Sequence, residues 1–230
     1  VSASIATGSI SDSGMAGATA MAGAAAFASG SQIQVREVSL SKSEKDDLRR
    51  DPATRAIAPA MPLSLIEPVA MEADTAIVAA PSSSTWGVGA VGASNSSFDG
   101  AGVTVAVLDT GIDLTHPAFV GVNIERRNFT LEADDDLHGH GTHCAGTIFG
   151  RDVDGTRIGV ARGISRVLIG KVLGQGGGSS ATLANAINWA VENGANVVSM
   201  SLGIDFPGYV SALVNQNNLD IRPATSIALE

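Results

Sequence analysis

Apolar and polar positions divide the chain into stretches of different texture. Residues 1–30 are almost wholly Ala, Gly, Ser and Thr with two Met, without a helical or strand period, and read as a low-complexity, weakly structured segment. A short helix from Ala16 to Ala28 is the alternative, given the Ala content. In residues 31–68, Ile33, Val35 and Val38 predict a strand. Ser41-Lys42-Ser43-Glu44 then reads as a capping box opening a helix that Asp51-Pro52 ends. Arg55 to Pro59 and Leu63 to Ile66 are short extended candidates. Residues 69–85, entered through Pro68 and carrying Pro81 and three serines, have linker composition.

From Trp86 the pattern becomes that of an α/β domain, assigned to residues 86–230. Val103 to Leu108 is nearly continuous apolar chain, as expected of a parallel strand covered on both faces. Arg166 to Leu173 and Ala195 to Leu202 are further strands. Between them Leu183, Ile187, Ala190 and Val191 repeat at helical spacing, and Gly194 supplies the C-terminal cap. Strand, helix and strand joined by short loops imply a right-handed βαβ unit. Tyr209 to Val214 offers one more short helix, and no further central strand is expected after Phe206.

Composition narrows the class. Among 230 residues, 44% are hydrophobic and 16% charged, enough apolar material for a packed core. The net charge of −9 supplies no basic footprint for nucleic acid. A single cysteine excludes an internal disulfide. No apolar run reaches the ~18–20 residues of a membrane span. The longest, Ala16 to Ala28, has no basic residue before it, unlike a signal peptide.

Two segments carry candidate chemistry. Asp109 closes the first apolar strand, and the carboxyl ends of parallel strands are where open sheets gather ligands and reactive groups. A turn aspartate is the plain alternative at that position. The run His138-Gly139-His140-Gly141-Thr142-His143-Cys144-Ala145 holds three of the four histidines among small residues. A helix starting there could approach its neighbours closely. A histidine at its N-terminus would meet the positive end of the helix dipole, which favours a neutral base. The alternative is a metal site, with His138, His140, His143 and Cys144 as zinc-type ligands.

These motifs are similar to those of the subtilisin-like serine proteases, the subtilases. Val105 to Asp113 followed by His116-Pro117 resembles the family's aspartate motif. Gly139 to Thr147 resembles its histidine motif, with His140 placed 31 residues after Asp109. The likeness extends over about residues 86–205, through Gly159-Val160-Ala161, Lys171-Val172-Leu173 and Ser199 to Gly203. It implies an incomplete doubly wound parallel sheet of subtilisin type and a serine endopeptidase activity on peptide or protein substrates. Asp109 would orient the histidine, His140 would be the general base, and His143 would be structural. Gly176-Gly177-Gly178 and Ser201-Leu202-Gly203 would flank an extended substrate, which binds by strand addition. The resemblance requires no cofactor. Asp152-Val153-Asp154-Gly155 has calcium-loop character, so structural calcium is a candidate there, although calcium-binding relatives often carry an acid where Ala118 stands. Asp134-Asp135-Asp136 reads chiefly as a solvated acidic loop, the alternative being contact with a cation or a raised pKa for His140.

The departures from the family pattern are equally specific. The chain has no Gly-Asn dipeptide for the oxyanion asparagine. Ala224-Thr225-Ser226-Ile227-Ala228 only superficially resembles the serine motif, because it follows Gly203 too closely. Ser226 reads instead as a helix N-cap. The expectation is an N-terminal part of a longer subtilase, inactive alone, with its unpaired strand edge prone to aggregate. A degenerate subtilase that binds a peptide or partner without cleaving is the alternative. Residues 31–68, with Pro59-Ala60-Met61-Pro62, resemble the end of a subtilase propeptide, an intramolecular chaperone and inhibitor. A propeptide usually accompanies export, so a secreted protein is favoured. No nucleic-acid or membrane partner is expected.

Overall fold

The computed structural model describes residues 2–8, 33–66 and 83–217. The Ala16–Ala28 segment, most of the 69–85 linker and Ser226 lie outside the described residues. The chain divides into two units, residues 1–60 and 61–230, so the 31–68 segment is split and its last strand belongs with the larger unit.

In the smaller unit, β1 (Ser2–Gly8) pairs antiparallel with both β2 (Ile33–Ser39) and β3 (Thr54–Pro59). Ser2–Gly8 is therefore a strand, not the weakly structured chain that its composition suggests. A central strand needs backbone partners on both sides more than it needs bulky side chains. Helix α1 (Lys42–Arg50) starts with the expected capping box: Glu44 N–H donates to Ser41 Oγ at 3.3 Å, and Ser41 N–H donates to Glu44 Oε2 at 2.8 Å.

The larger unit is built on a parallel sheet in the order β6 (Asn123–Asn128), β7 (Arg166–Lys171), β5 (Thr104–Asp109), β9 (Val197–Ser199). The two central strands show why their sequences are continuously apolar. Val105, Val107, Val167 and Ile169 pack on one face with Ala145 and Phe149 of α3 (His140–Phe149). Ala106 and Leu168 face the other side with Trp189 and Ala190 of α4 (Ser180–Glu192), where Leu108 packs with Ala186. Helices cover both faces, as a doubly wound sheet requires. Strand β6, with sequence Asn-Ile-Glu-Arg-Arg-Asn, was not legible from its pattern. It is an edge strand whose charged side chains remain at least partly in water.

A second, smaller sheet stands beside this core. β4 (Pro62–Leu65) lies antiparallel between β8 (Gly178–Ser179) and β10 (Leu202–Ile204). The stretch expected to form one strand from Ala195 to Leu202 therefore breaks in two: β9 joins the parallel sheet and β10 leaves it to pair with β4. The unit also contains a short helix α2 (Trp86–Ala90) and α5 (Phe206–Asn217), which is longer than the Tyr209–Val214 pattern implied.

Candidate active site

Asp109 is the last residue of β5, and its carboxylate is 1% exposed. His140 is the first residue of α3, 31 residues later. The close approach of these elements depends on Gly141, where a Cβ would collide with the carbonyl oxygen of Gly111. The result is a contact of 2.8 Å between His140 Nδ1 and Asp109 Oδ1. An ionised carboxylate can only accept there, so the neutral imidazole carries its proton on Nδ1 and presents its lone pair on Nε2. Asp109 Oδ1 also accepts the Thr110 N–H at 2.8 Å, so the carboxylate is oriented by its own turn.

One turn along α3, Cys144 Sγ lies 3.8 Å from His140 Nδ1 and 3.7 Å from Ser201 Oγ. Burial pushes the Cys144 thiol up; the Ser201 hydroxyl opposes that, and the Asp109 and Asp136 charges add to it. Asp109, His140 and Cys144 offer ligand atoms within 4.8 Å of one another. The metal reading had grouped His138 and His143 with His140 and Cys144. The fold brings Asp109 to His140 and Cys144, and His143 is exposed.

Asp136 is half-buried rather than a solvated member of the acidic loop. Its Oδ1 accepts from Thr110 Oγ1 at 2.8 Å and from Gly139 N at 2.9 Å, with His138 N at 3.2 Å. Its Oδ2 accepts from Thr142 N at 2.9 Å and Thr142 Oγ1 at 2.6 Å. Burial opposes its ionisation, but the donors of Thr142, Gly139 and Thr110 outweigh this and hold the carboxyl below its ordinary value. Composition hid this residue; its place four positions before His140, ahead of a helix whose N-cap is Gly139, was the available signal.

An open cavity of about 600 Å³ adjoins His140, lined also by Cys144, Thr147, Ile148, Ser199 and Ser201. Next to it β4 runs through the glycine segments singled out in the sequence. Leu63 pairs with Gly178 and with Ile204, Ser64 with Gly203, and Leu65 with Leu202. Ile66 N–H donates to the Ser201 carbonyl at 3.2 Å. Gly177, at φ +86°, is required: a Cβ there would stand 2.5 Å from the Leu63 carbonyl oxygen. Gly176 has open space around it and makes no such demand. Leu63 is buried with Leu108, Val172, Leu173 and Ala186.

The calcium-like segment is a tight turn. Val153 and Thr156 exchange both backbone hydrogen bonds across Asp154-Gly155, each with positive φ, and both Asp152 oxygens face Arg162 Nη1, at 2.7 and 3.0 Å.

Residues 100–227 match the model of the subtilase family. The chain belongs to the subtilase family. It is 38% identical over 158 residues to a subtilisin-like protease of Coccidioides posadasii, covering 62% of this chain and 37% of that protein. It is 44% identical over 126 residues to the major intracellular serine protease of Bacillus subtilis, covering 50% and 39% respectively. Against a cuticle-degrading serine protease of Arthrobotrys oligospora the identity is 39% over 166 residues, covering 63% and 38%. The chain thus spans less than two-fifths of the length of these relatives. Among solved structures it resembles fervidolysin from Fervidobacterium pennivorans, described as a keratinolytic enzyme related to subtilisin. The TM-score is 0.52 at 26% identity, covering 66% of this chain and 27% of that one. This subtilase has the mixed α/β architecture and parallel sheet expected from its sequence.

Proposed function

We propose that this subtilase chain supplies the aspartate and histidine of a serine endopeptidase. The observation that carries the reading is the 2.8 Å contact of His140 Nδ1 with the buried Asp109 carboxylate beside a cleft walled by strand edges. With Nδ1–H committed to Asp109, His140 Nε2 takes the proton of a serine hydroxyl as that oxygen attacks a peptide carbonyl. It then returns the proton to the leaving amine, and water releases the acyl group by the same route. Asp109 holds the ring and stabilises the imidazolium formed at each proton transfer.

The cleft supports an extended peptide as substrate, with Gly177, Gly178, Leu202 and Gly203 offering backbone to it and Ser201 the last carbonyl. In this reading Met61–Ile66 is the chain's own propeptide-like occupant of that cleft. The reaction needs no metal, and no step runs through calcium. Export is the compartment that a propeptide-like segment supports. Among the described residues no helix is long and apolar enough to cross a membrane.

The test uses the protein expressed from its complete reading frame. Peptide hydrolysis and labelling by a fluorophosphonate should both appear, and Asp109→Asn should lower kcat by on the order of 10⁴. His140→Ala should abolish labelling. Undiminished hydrolysis in His140→Ala, or a folded full-length protein that neither cleaves nor labels, overturns the reading.

A further inference from the structure

We propose that Asp136 is the positioning residue that locks the Asp109 turn to the start of α3, and so sets the Asp109–His140 hydrogen bond. The inference rests on the Asp–His reading above and adds a residue that does not itself touch the reacting atoms.

The argument starts from an uncapped helix. α3 has Gly139 at its N-cap, at φ +88°, with no side chain to accept the free N–H groups of the first turn. Asp136 takes that role from three residues upstream, accepting from Gly139 N and Thr142 N. Its negative charge also lies at the favourable end of the helix dipole.

The same carboxylate fixes the direction of two hydroxyl protons. Thr110 Oγ1 donates to Asp136 and accepts from Gly141 N at 2.9 Å. Thr142 Oγ1 donates to Asp136 and accepts from Asp113 N at 2.9 Å. A hydroxyl has one proton. Because each is spent on Asp136, lone pairs remain for the Gly141 and Asp113 N–H groups. Thr110 directly follows Asp109, and Gly141 directly follows His140. The ring Asp136–Thr110–Gly141 therefore ties the two neighbours of the acid–base pair together.

The loop that carries Asp136 is itself seated. Lys171, buried and paired in register with Asp109, donates from Nζ to the Asp135 carbonyl at 2.7 Å. Gly111, at φ +114°, leaves room for that loop: a Cβ there would lie 3.3 Å from the Asp134 carbonyl oxygen. Asparagine cannot replace Asp136. One of its two terminal atoms is an NH₂ group, which would face either the Thr110 and Gly139 donors or the two Thr142 donors.

The first arm of the test needs no protease activity. In the full-length protein labelled at histidine with ¹⁵N, the His140 Nδ1–H held by Asp109 should give a far-downfield proton resonance. Asp136→Asn should lose or move it. Leu168→Ala, a core truncation under α4 on the opposite face of the sheet, should keep it. Should Asp136→Asn not fold, Thr110→Val removes both hydrogen bonds of that hydroxyl and should have the same effect, with Thr110→Ser restoring the signal. In the full-length protein, kcat per titrated active site should fall by about 10- to 100-fold in Asp136→Asn while KM stays within about twofold. An unchanged resonance and kcat in Asp136→Asn overturn the proposal, as does a parent chain without the resonance. A parent that shows the resonance but cleaves nothing overturns the protease reading alone.

Discussion

Leu65 of β4 pairs antiparallel with Leu202 of β10, and this register delivers the N–H of Ile66 to the carbonyl of Ser201. Ser201 Oγ in turn lies 3.7 Å from Cys144 Sγ, one helical turn from His140. The β4 strand thus pairs along Gly178 and Gly203 and ends beside Ser201.

The proposed protease reading makes a prediction here: if β4 binds as a substrate strand that ends with the Ile66 N–H on the Ser201 carbonyl, maturation cuts after Ile66. Protein matured from the complete reading frame should carry Glu67 as its new N-terminal residue, as read by N-terminal sequencing. A new terminus within residues 69–85 would show that β4 is bound out of register with the reaction.

Leu63 is the main apolar anchor of β4. It is 4% exposed among Leu108, Val172, Leu173 and Ala186. Leu63→Ala should cost about 2–5 kcal/mol of strand docking. Gly177→Ala should loosen the same strand through its strained backbone and the Leu63 carbonyl. Hydrogen exchange at the Ile66 and Ser180 amides should accelerate in both variants, because these donate to Ser201 and Met61. Unchanged exchange would separate β4 from the cleft.

The Cys144 thiol should alkylate slowly. Burial raises its pKa, so the thiolate is scarce near neutrality despite the neighbouring imidazole. The iodoacetamide rate at pH 8 should be below that of a free thiol and should still be climbing above pH 9. A plateau below pH 8 would reveal an activated thiolate instead.

Asp136 should give an acid-sensitive contribution to stability. Its carboxyl is held low in the folded chain, so the unfolded chain binds the proton more tightly. The stabilisation is full above the ordinary aspartate value of about 4 and falls away as pH drops through the folded value. The urea midpoint of Asp136→Asn should therefore lie below the parent's at pH 7 and approach it near pH 3. An equal gap at both pH values would mean that the charge contributes nothing.

Much of the fold could be read along the chain because it depends on local periodicity. Val105 to Leu108 and Val167 to Ile169 are apolar on every residue, since helices α3 and α4 cover opposite faces of the same strands. Leu183 to Val191 carries the period of a helix with one buried side. Asp109 and His140 were legible because their flanking glycines and threonines form long motifs. The structure brings that pair together at hydrogen-bond distance.

What the chain order could not show is which distant segments pair. β1 is made of small residues whose pairing rests on backbone hydrogen bonds, and β6 is polar because it lies at an edge. β4 differs little from any short extended stretch until β8 and β10 bracket it. Asp136 carries the same lesson at the site. Three consecutive aspartates look alike to solvent, and only the fold sets one of them facing two threonines and a helix N-terminus. Periodicity records which side of an element is buried; hydrogen-bond partners far apart in sequence are chosen by how the elements meet.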